Sequence, residues 1–182
     1  MERLVTHTHL EMTDRAALRP AKASTVALDL VQVKIPSPEL NRFLYATVGA
    51  RWTWYNRLPW SRAQWLAYLD RPELETWVVY MTGSPAGYFE LERQEGDSVE
   101  IAYLGLLPAF IGKGIGGQLL TAAVGRAWEM GAKRVWLHTC DFDHPRALAN
   151  YQARGFTVFK VESVVEQMPD GALEAWPGAD VP

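Results

Sequence analysis

The chain has 182 residues, 48% of them apolar and 21% charged, with a formal net charge of −3. That size and composition fit one ordinary globular domain with its own core, exclude wholesale disorder, and leave no basic footprint for nucleic acid. A single cysteine, Cys140, excludes an intramolecular disulfide framework and suits a reducing cytoplasm, and no stretch approaches the ~20 apolar residues of a membrane span.

Residues 1–24 mix polar and apolar side chains without a clear period and read as an N-terminal arm or an edge strand. Residues 25–33 alternate as a strand. Ser37-Pro38-Glu39 then starts a helix, with a capping hydroxyl, a proline at the first position and an acid in the first turn; the helix runs to about Val48. Ser61-Arg62-Ala63-Gln64 is a capping box for a short helix to about Leu69. Between these helices lies an aromatic loop, residues 51–60. It carries three of the four tryptophans (Trp52, Trp54, Trp60 and Trp65) that fall within fourteen residues, out of eight in the chain.

The period then changes. Residues 75–81 and 87–92 read as strands joined by a tight turn at Gly83-Ser84, and Gly96-Asp97 turns the chain into a third strand, 99–107. Apolar residues from Ile115 to Trp128 recur at helical spacing, stopped by Gly131. Residues 133–140 are a strand, Asp143-His144-Pro145 opens a helix that Gly155 ends, and 156–165 is a further strand. Residues 25–168 thus form the domain, and 169–182, with a turn signal at Asp170-Gly171, form a C-terminal hairpin or tail.

The chemistry centres on residues 108–118, PAFIGKGIGGQ, between a strand and a helix. Four glycines in six residues let backbone N–H groups converge, and the helix start adds its positive dipole end, which makes an anion cradle suited to phosphate. A Walker loop fails, because Gly112-Lys113 is followed by Gly114 and position 107 is Leu. Gly112, Gly114 and Gly117 match G-x-G-x-x-G, and Asp141 follows the next strand. Yet residues 108–111 separate the strand from the glycines, meander strands precede the motif, and too little chain remains for a dinucleotide domain.

Residues 104–120 (LGLLPAFIGKGIGGQLL) with 147–156 (ALANYQARGF) resemble the GNAT superfamily of N-acetyltransferases, over roughly residues 75–160. The family's Arg/Gln-x-x-Gly-x-Gly/Ala motif corresponds to Ile111-Gly112-Lys113-Gly114-Ile115-Gly116; Ile111 departs from it. The family's Tyr-x-x-x-Gly-Phe run corresponds to Tyr151 through Gly155-Phe156, with His144 where the family often has Asn. The resemblance implies an α/β fold, a mixed and mostly antiparallel sheet splayed around acetyl-CoA with helices on both faces.

It also implies roles. Backbone groups of Leu104 and Leu106 match the positions that bind the pantetheine arm, and Ile111 to Gly117 surround the pyrophosphate, which lies over the amides of Gly112, Lys113, Gly114, Gly116 and Gly117. The reaction would be direct acetyl transfer to a primary amine of a small molecule or peptide, in a ternary complex. Glu100, on the strand face of Leu104, is the expected base, and Tyr151 the acid for the leaving thiolate. The Leu106 N–H would stabilise the oxyanion. His144 either contacts CoA or caps its helix. Trp52, Trp54, Tyr55 and Trp60 either wall the acceptor pocket or form a satellite core, and Arg51 and Arg57 could steer an acidic group.

No metal is expected. His138, Cys140, Asp143 and His144 lack a second cysteine to complete a zinc pattern. No membrane or nucleic-acid partner is implied, and a homodimer is compatible with the chain. The alternative of another class is a non-catalytic acyl-CoA-binding or sensory module of the same fold, which would keep the glycine loop without needing Glu100 or Tyr151.

Overall fold

A computed structural model describes residues 1–22 and 27–168. In chain order its elements are β1 (Glu2–Met12), β2 (Leu28–Gln32), α1 (Pro38–Gly49), α2 (Arg62–Leu69), β3 (Leu74–Met81), β4 (Ser84–Gln94), β5 (Ser98–Leu106), α3 (Gly116–Glu129), β6 (Arg134–Cys140), α4 (Ala147–Ala153) and β7 (Thr157–Gln167). One sheet runs β2-β3-β4-β5-β6-β1-β7. All neighbours are antiparallel except β5 and β6, so the fold is the expected mixed, mostly antiparallel α/β sheet.

The local signals act largely where the sequence carries them. Ser61 and Gln64 close the capping box of α2 in both directions. Ser37 precedes α1 but makes no side-chain cap bond, so proline at the first position carries that start. The β3–β4 turn falls one residue early, on Thr82-Gly83. Both residues have positive φ (52° and 78°), the geometry a two-residue hairpin needs, while Ser84 already pairs with Met81.

Residues 1–24 correct the sequence expectation. Their strand, β1, is neither an arm nor an edge: it lies inside the sheet between β6 and β7, antiparallel to both. Val5, Leu10 and Met12 are buried there. Met1 and Met168 exchange backbone bonds (3.0 and 2.8 Å), joining the start of β1 to the end of β7. The expected C-terminal hairpin or tail at 169–182 lies outside the described residues.

Helices cover both faces. The buried stripe of α3 (Leu119, Leu120, Ala123, Val124, Ala127 and Trp128) packs on Leu10, Phe89, Leu91, Val135 and Leu137. On the other face Leu44 and Val48 of α1 meet Val78 and Tyr88, and Tyr45, Trp65, Leu69 and Leu74 form an adjoining cluster. Each large apolar side chain fully buried in this way contributes roughly 1.5–3 kcal/mol.

Candidate active site

β5 and β6 are paired only over Ser98–Glu100 against Arg134–Trp136. Beyond that point β5 stays bonded to β4 as far as Leu106, and β6 to β1 as far as Cys140, so the two strands part and leave a wedge. The Leu107 N–H donates to the Ala86 carbonyl across β4 (2.9 Å). Backbone groups alternate sides along a strand, so those of Leu104 and Leu106 point the other way, into the wedge. Such groups need a partner, and an extended ligand with amides supplies one.

The wedge leads to the glycine loop. Pro108–Phe110 form a 3-10 turn, and Gly112 and Gly114 take left-handed φ values of 82° and 78°. Nothing lies within 4 Å of either missing Cβ, so handedness rather than space calls for glycine. The Lys113 amide, expected in the cradle, turns back toward the Phe110 carbonyl (3.4 Å). Among the described residues, the amides of Gly112, Gly114, Ile115, Gly116 and Gly117 have no acceptor. They cluster at the positive end of α3, where an anion is stabilised.

Gly117 also serves packing. A Cβ there would lie 2.5 Å from Arg154 Nη1 and 3.1 Å from Ala21 Cβ. Ile111 occupies the position where the sequence motif usually has Arg or Gln. Arg154, whose buried Nε has no partner among the described residues, brings a guanidinium to the same helix end.

A cavity of about 130 Å³ opens at the wedge. Leu104 and Cys140 line it from the strands and Tyr151 from α4, and Trp52, Trp54, Tyr55, Tyr103 and Phe142 form aromatic walls. Trp54 stands edge-on to Tyr103 (4.8 Å between centroids) and fills the space a side chain at Gly49 would need. The Tyr55 hydroxyl donates to Glu166 (2.8 Å); burial and this carboxylate push its pKa up to about 12.

Trp60, expected beside these rings, does not line the cavity. It packs edge-on against Trp65 and Tyr68, under the guanidinium of Arg57. Arg57 cannot steer a ligand either: it is buried in a 2.7 Å ion pair with Glu90, which has no exposed surface. That buried pair draws the end of the aromatic loop into the core.

The turn after β6 is held by Asp143, which accepts from Thr139 Oγ1 (2.6 Å) and the Cys140 N–H (3.1 Å). α4 begins at Ala147, later than Pro145 suggests. His144 Nδ1 accepts the Arg146 N–H (3.0 Å), and its ring stands edge-on to Trp52 (5.1 Å), outside the cavity lining. Tyr151 is buried and lines the cavity, its hydroxyl held well above the ordinary tyrosine range by burial and by nearby Asp143 and Cys140. Burial also raises the Cys140 thiol to about 11.

Glu100 is held away from the cavity. Gln94 Nε2 donates to its Oε2 (2.8 Å), and Trp136 Nε1 in turn donates to Gln94 Oε1 (2.9 Å). Its other oxygen lies 3.6 Å from His138 Nδ1. His138 does line the cavity, as do His7 and Glu166, which are joined at 2.6 Å. In the sequence reading His138 has no part in acetyl transfer, and His7 and Glu166 are not named at all. The one available signal was the alternating His7-Thr8-His9, which puts two imidazoles on one strand face. Among the described residues no group of His, Cys, Asp or Glu is arranged to hold a metal ion, and no helix is long and apolar enough to cross a membrane.

The chain is thus an α/β fold with an open, mixed sheet whose wedge between parallel neighbours runs into an amide cradle at a helix start. Residues 41–156 match the acetyltransferase (GNAT) family, and the chain belongs to that family. It is 32% identical over 98 residues to an uncharacterized N-acetyltransferase of Mycobacterium tuberculosis, covering 54% of this chain and 62% of the relative. It is 37% identical over 90 residues to the uncharacterized N-acetyltransferase YjgM of Escherichia coli, covering 48% of this chain and 53% of that one. The chain thus spans less than two thirds of the length of these curated relatives. A GCN5-related N-acetyltransferase from Kribbella flavida shares the fold, with a TM-score of 0.65 at 18% identity over 93% of this chain and 61% of its own.

Proposed function

We propose that the chain is an acetyl-CoA-dependent N-acetyltransferase acting on a primary amine by direct transfer in a ternary complex. The observation that carries this is the wedge between β5 and β6 continuing into five amides that have no acceptor among the described residues: a path for an amide-bearing arm that ends at an anion site. Acetyl-CoA has that shape, and as a thioester it supplies an activated acetyl group. Leu104 and Leu106 hold the arm through their backbone groups, and Gly112, Gly114, Ile115, Gly116 and Gly117 hold the pyrophosphate. The Leu106 N–H stabilises the carbonyl oxygen as it gains charge. Tyr151, kept protonated by its surroundings, donates to the departing sulfur. A covalent acyl-cysteine step is disfavoured, because Cys140 is a thiol at neutral pH.

The cavity supports a compact acceptor. Its walls are aromatic, its charged lining groups are Glu166 and Asp143 beside two histidines, and it carries no Lys or Arg among the described residues. That favours an amine with an uncharged or cationic body over an acidic one, since ring faces attract ammonium groups. The donor pool for such a reaction is cytoplasmic. The test is turnover: the purified chain with acetyl-CoA and a panel of small amines should release free CoA thiol and an acetylated product. Tight CoA binding with no turnover on any amine would favour a binding or sensory module instead.

A further inference from the structure

Three histidines meet on one face of the sheet. His9 lies directly opposite His138 across β1 and β6, and His7 stands two residues along. Their ring centroids are 5.7–6.5 Å apart. Each has its own carboxylate: Glu166 for His7, Glu162 for His9, Glu100 for His138. The three pairs differ in what they leave available. Glu162 also holds Lys160, and His9 does not line the cavity. His7 is closed onto Glu166 at 2.6 Å, and Glu166 is further held by Tyr55. His138 has the most exposed side chain of the three, at 44% against 19% and 16%, and it lines the cavity.

The carboxylate behind His138 is fixed rather than free. The Trp136 indole can only donate, so it sets Gln94 with its carbonyl toward the ring and its amide toward Glu100. Gln94 then pins one oxygen of Glu100 and leaves the other facing His138 Nδ1. A carboxylate at Nδ1 selects the tautomer with the proton there, which leaves the Nε2 lone pair as the basic site.

On the acetyl-transfer reading, which this inference presupposes, we infer that His138 is the base that deprotonates the acceptor amine and that Glu100 is its positioning carboxylate. The step balances as follows. An acceptor ammonium gives one proton to His138 Nε2, and the freed lone pair forms the N–C bond. The C–S bond breaks with its electron pair on sulfur, which takes the Tyr151 proton. The second proton lost from nitrogen restores Tyr151, and His138 returns its own to solvent.

The groups facing His138 are Glu100 from β5, His7 and His9 from β1, Glu166 from β7, Asp143 after β6 and Trp136 on its own strand. Glu100 is the largest influence and holds the imidazole above its ordinary pKa against the opposing effect of desolvation. A base acts in its neutral form, so kcat should rise with pH through a midpoint above the ordinary histidine value of about 6.5 and then level.

The test combines kinetics with a titration that needs no substrate. His138→Gln should lower kcat by roughly 10²–10⁴-fold, as loss of a general base does, and remove the acid limb. Glu100→Gln should keep a limb but move it to lower pH. NMR titration of the His138 ring in the substrate-free protein should show the same downward shift in Glu100→Gln. CoA-induced thermal stabilisation should persist in both variants, which shows that they fold. A His138→Gln enzyme within threefold of wild type, a limb lost with His7→Gln instead, or an unmoved His138 titration in Glu100→Gln would each overturn the assignment while leaving acetyl transfer intact. A wild-type chain that turns over no amine would overturn both.

Discussion

The glycine-loop side and the aromatic side of the site are built in opposite ways. The first is made of backbone: Leu104, Leu106 and the amides between Gly112 and Gly117, contiguous in sequence and set by two left-handed glycines. The second is made of side chains from distant segments: His7 on β1, Trp52 to Tyr55 after α1, Tyr103 on β5, His138 on β6, Tyr151 on α4 and Glu166 on β7. Backbone recognition tolerates changes of side chain and keeps one ligand. A side-chain cavity can be recut for another acceptor without disturbing the loop.

The largest expected effect breaks the backbone side alone. Gly114→Asp puts a Cβ on a residue with φ of 78° and a negative charge in an anion cradle. Thermal stabilisation by CoA should vanish, with the unliganded melting temperature changed far less. Persistent stabilisation would mean that the anion sits elsewhere.

This contrast explains what was legible. The loop, the α3 stripe and the Tyr151-to-Phe156 run are local patterns, and each lies where the sequence implies. The aromatic side depends on long-range pairing. Trp60 lies under Arg57, whose partner Glu90 is 33 residues away, and Trp52 does not share that anchor. The place of β1 was hidden because its core residues, Val5, Leu10 and Met12, are interleaved with His7, Thr8 and His9, so the strand lacks the apolar run of a buried one. Glu100 was expected as the base, yet it does not line the cavity; His138, which does and lies 3.6 Å from it, sits on another strand, in a register that no single segment reveals.

Arg57→Ala probes the foundation of the side-chain half. It leaves Glu90 buried without its cation, which typically costs about 3–5 kcal/mol. Chemical denaturation should show that loss. Stability within 1 kcal/mol of wild type would mean that the pair does not anchor the loop.

Tyr151→Phe sharpens the point where the halves meet. kcat should fall tenfold or more, while CoA affinity stays within a factor of about two. An unchanged kcat would remove Tyr151 from the chemistry. The smallest effect is expected from Cys140→Ser, which should keep kcat within about threefold because burial raises the thiol to about 11 and leaves little thiolate at neutral pH. Loss of turnover there would point to a covalent acyl intermediate.

The most direct measurement is a titration of CoA into uniformly ¹⁵N-labelled protein. The amides of Leu104, Leu106, Gly112, Gly114, Ile115, Gly116 and Gly117 should show the largest shifts, saturating together, with the α2 amides and that of Trp60 nearly still. Shifts centred away from the wedge and the glycine loop, or no saturable shift at all, would contradict a CoA site formed by the parting of β5 from β6.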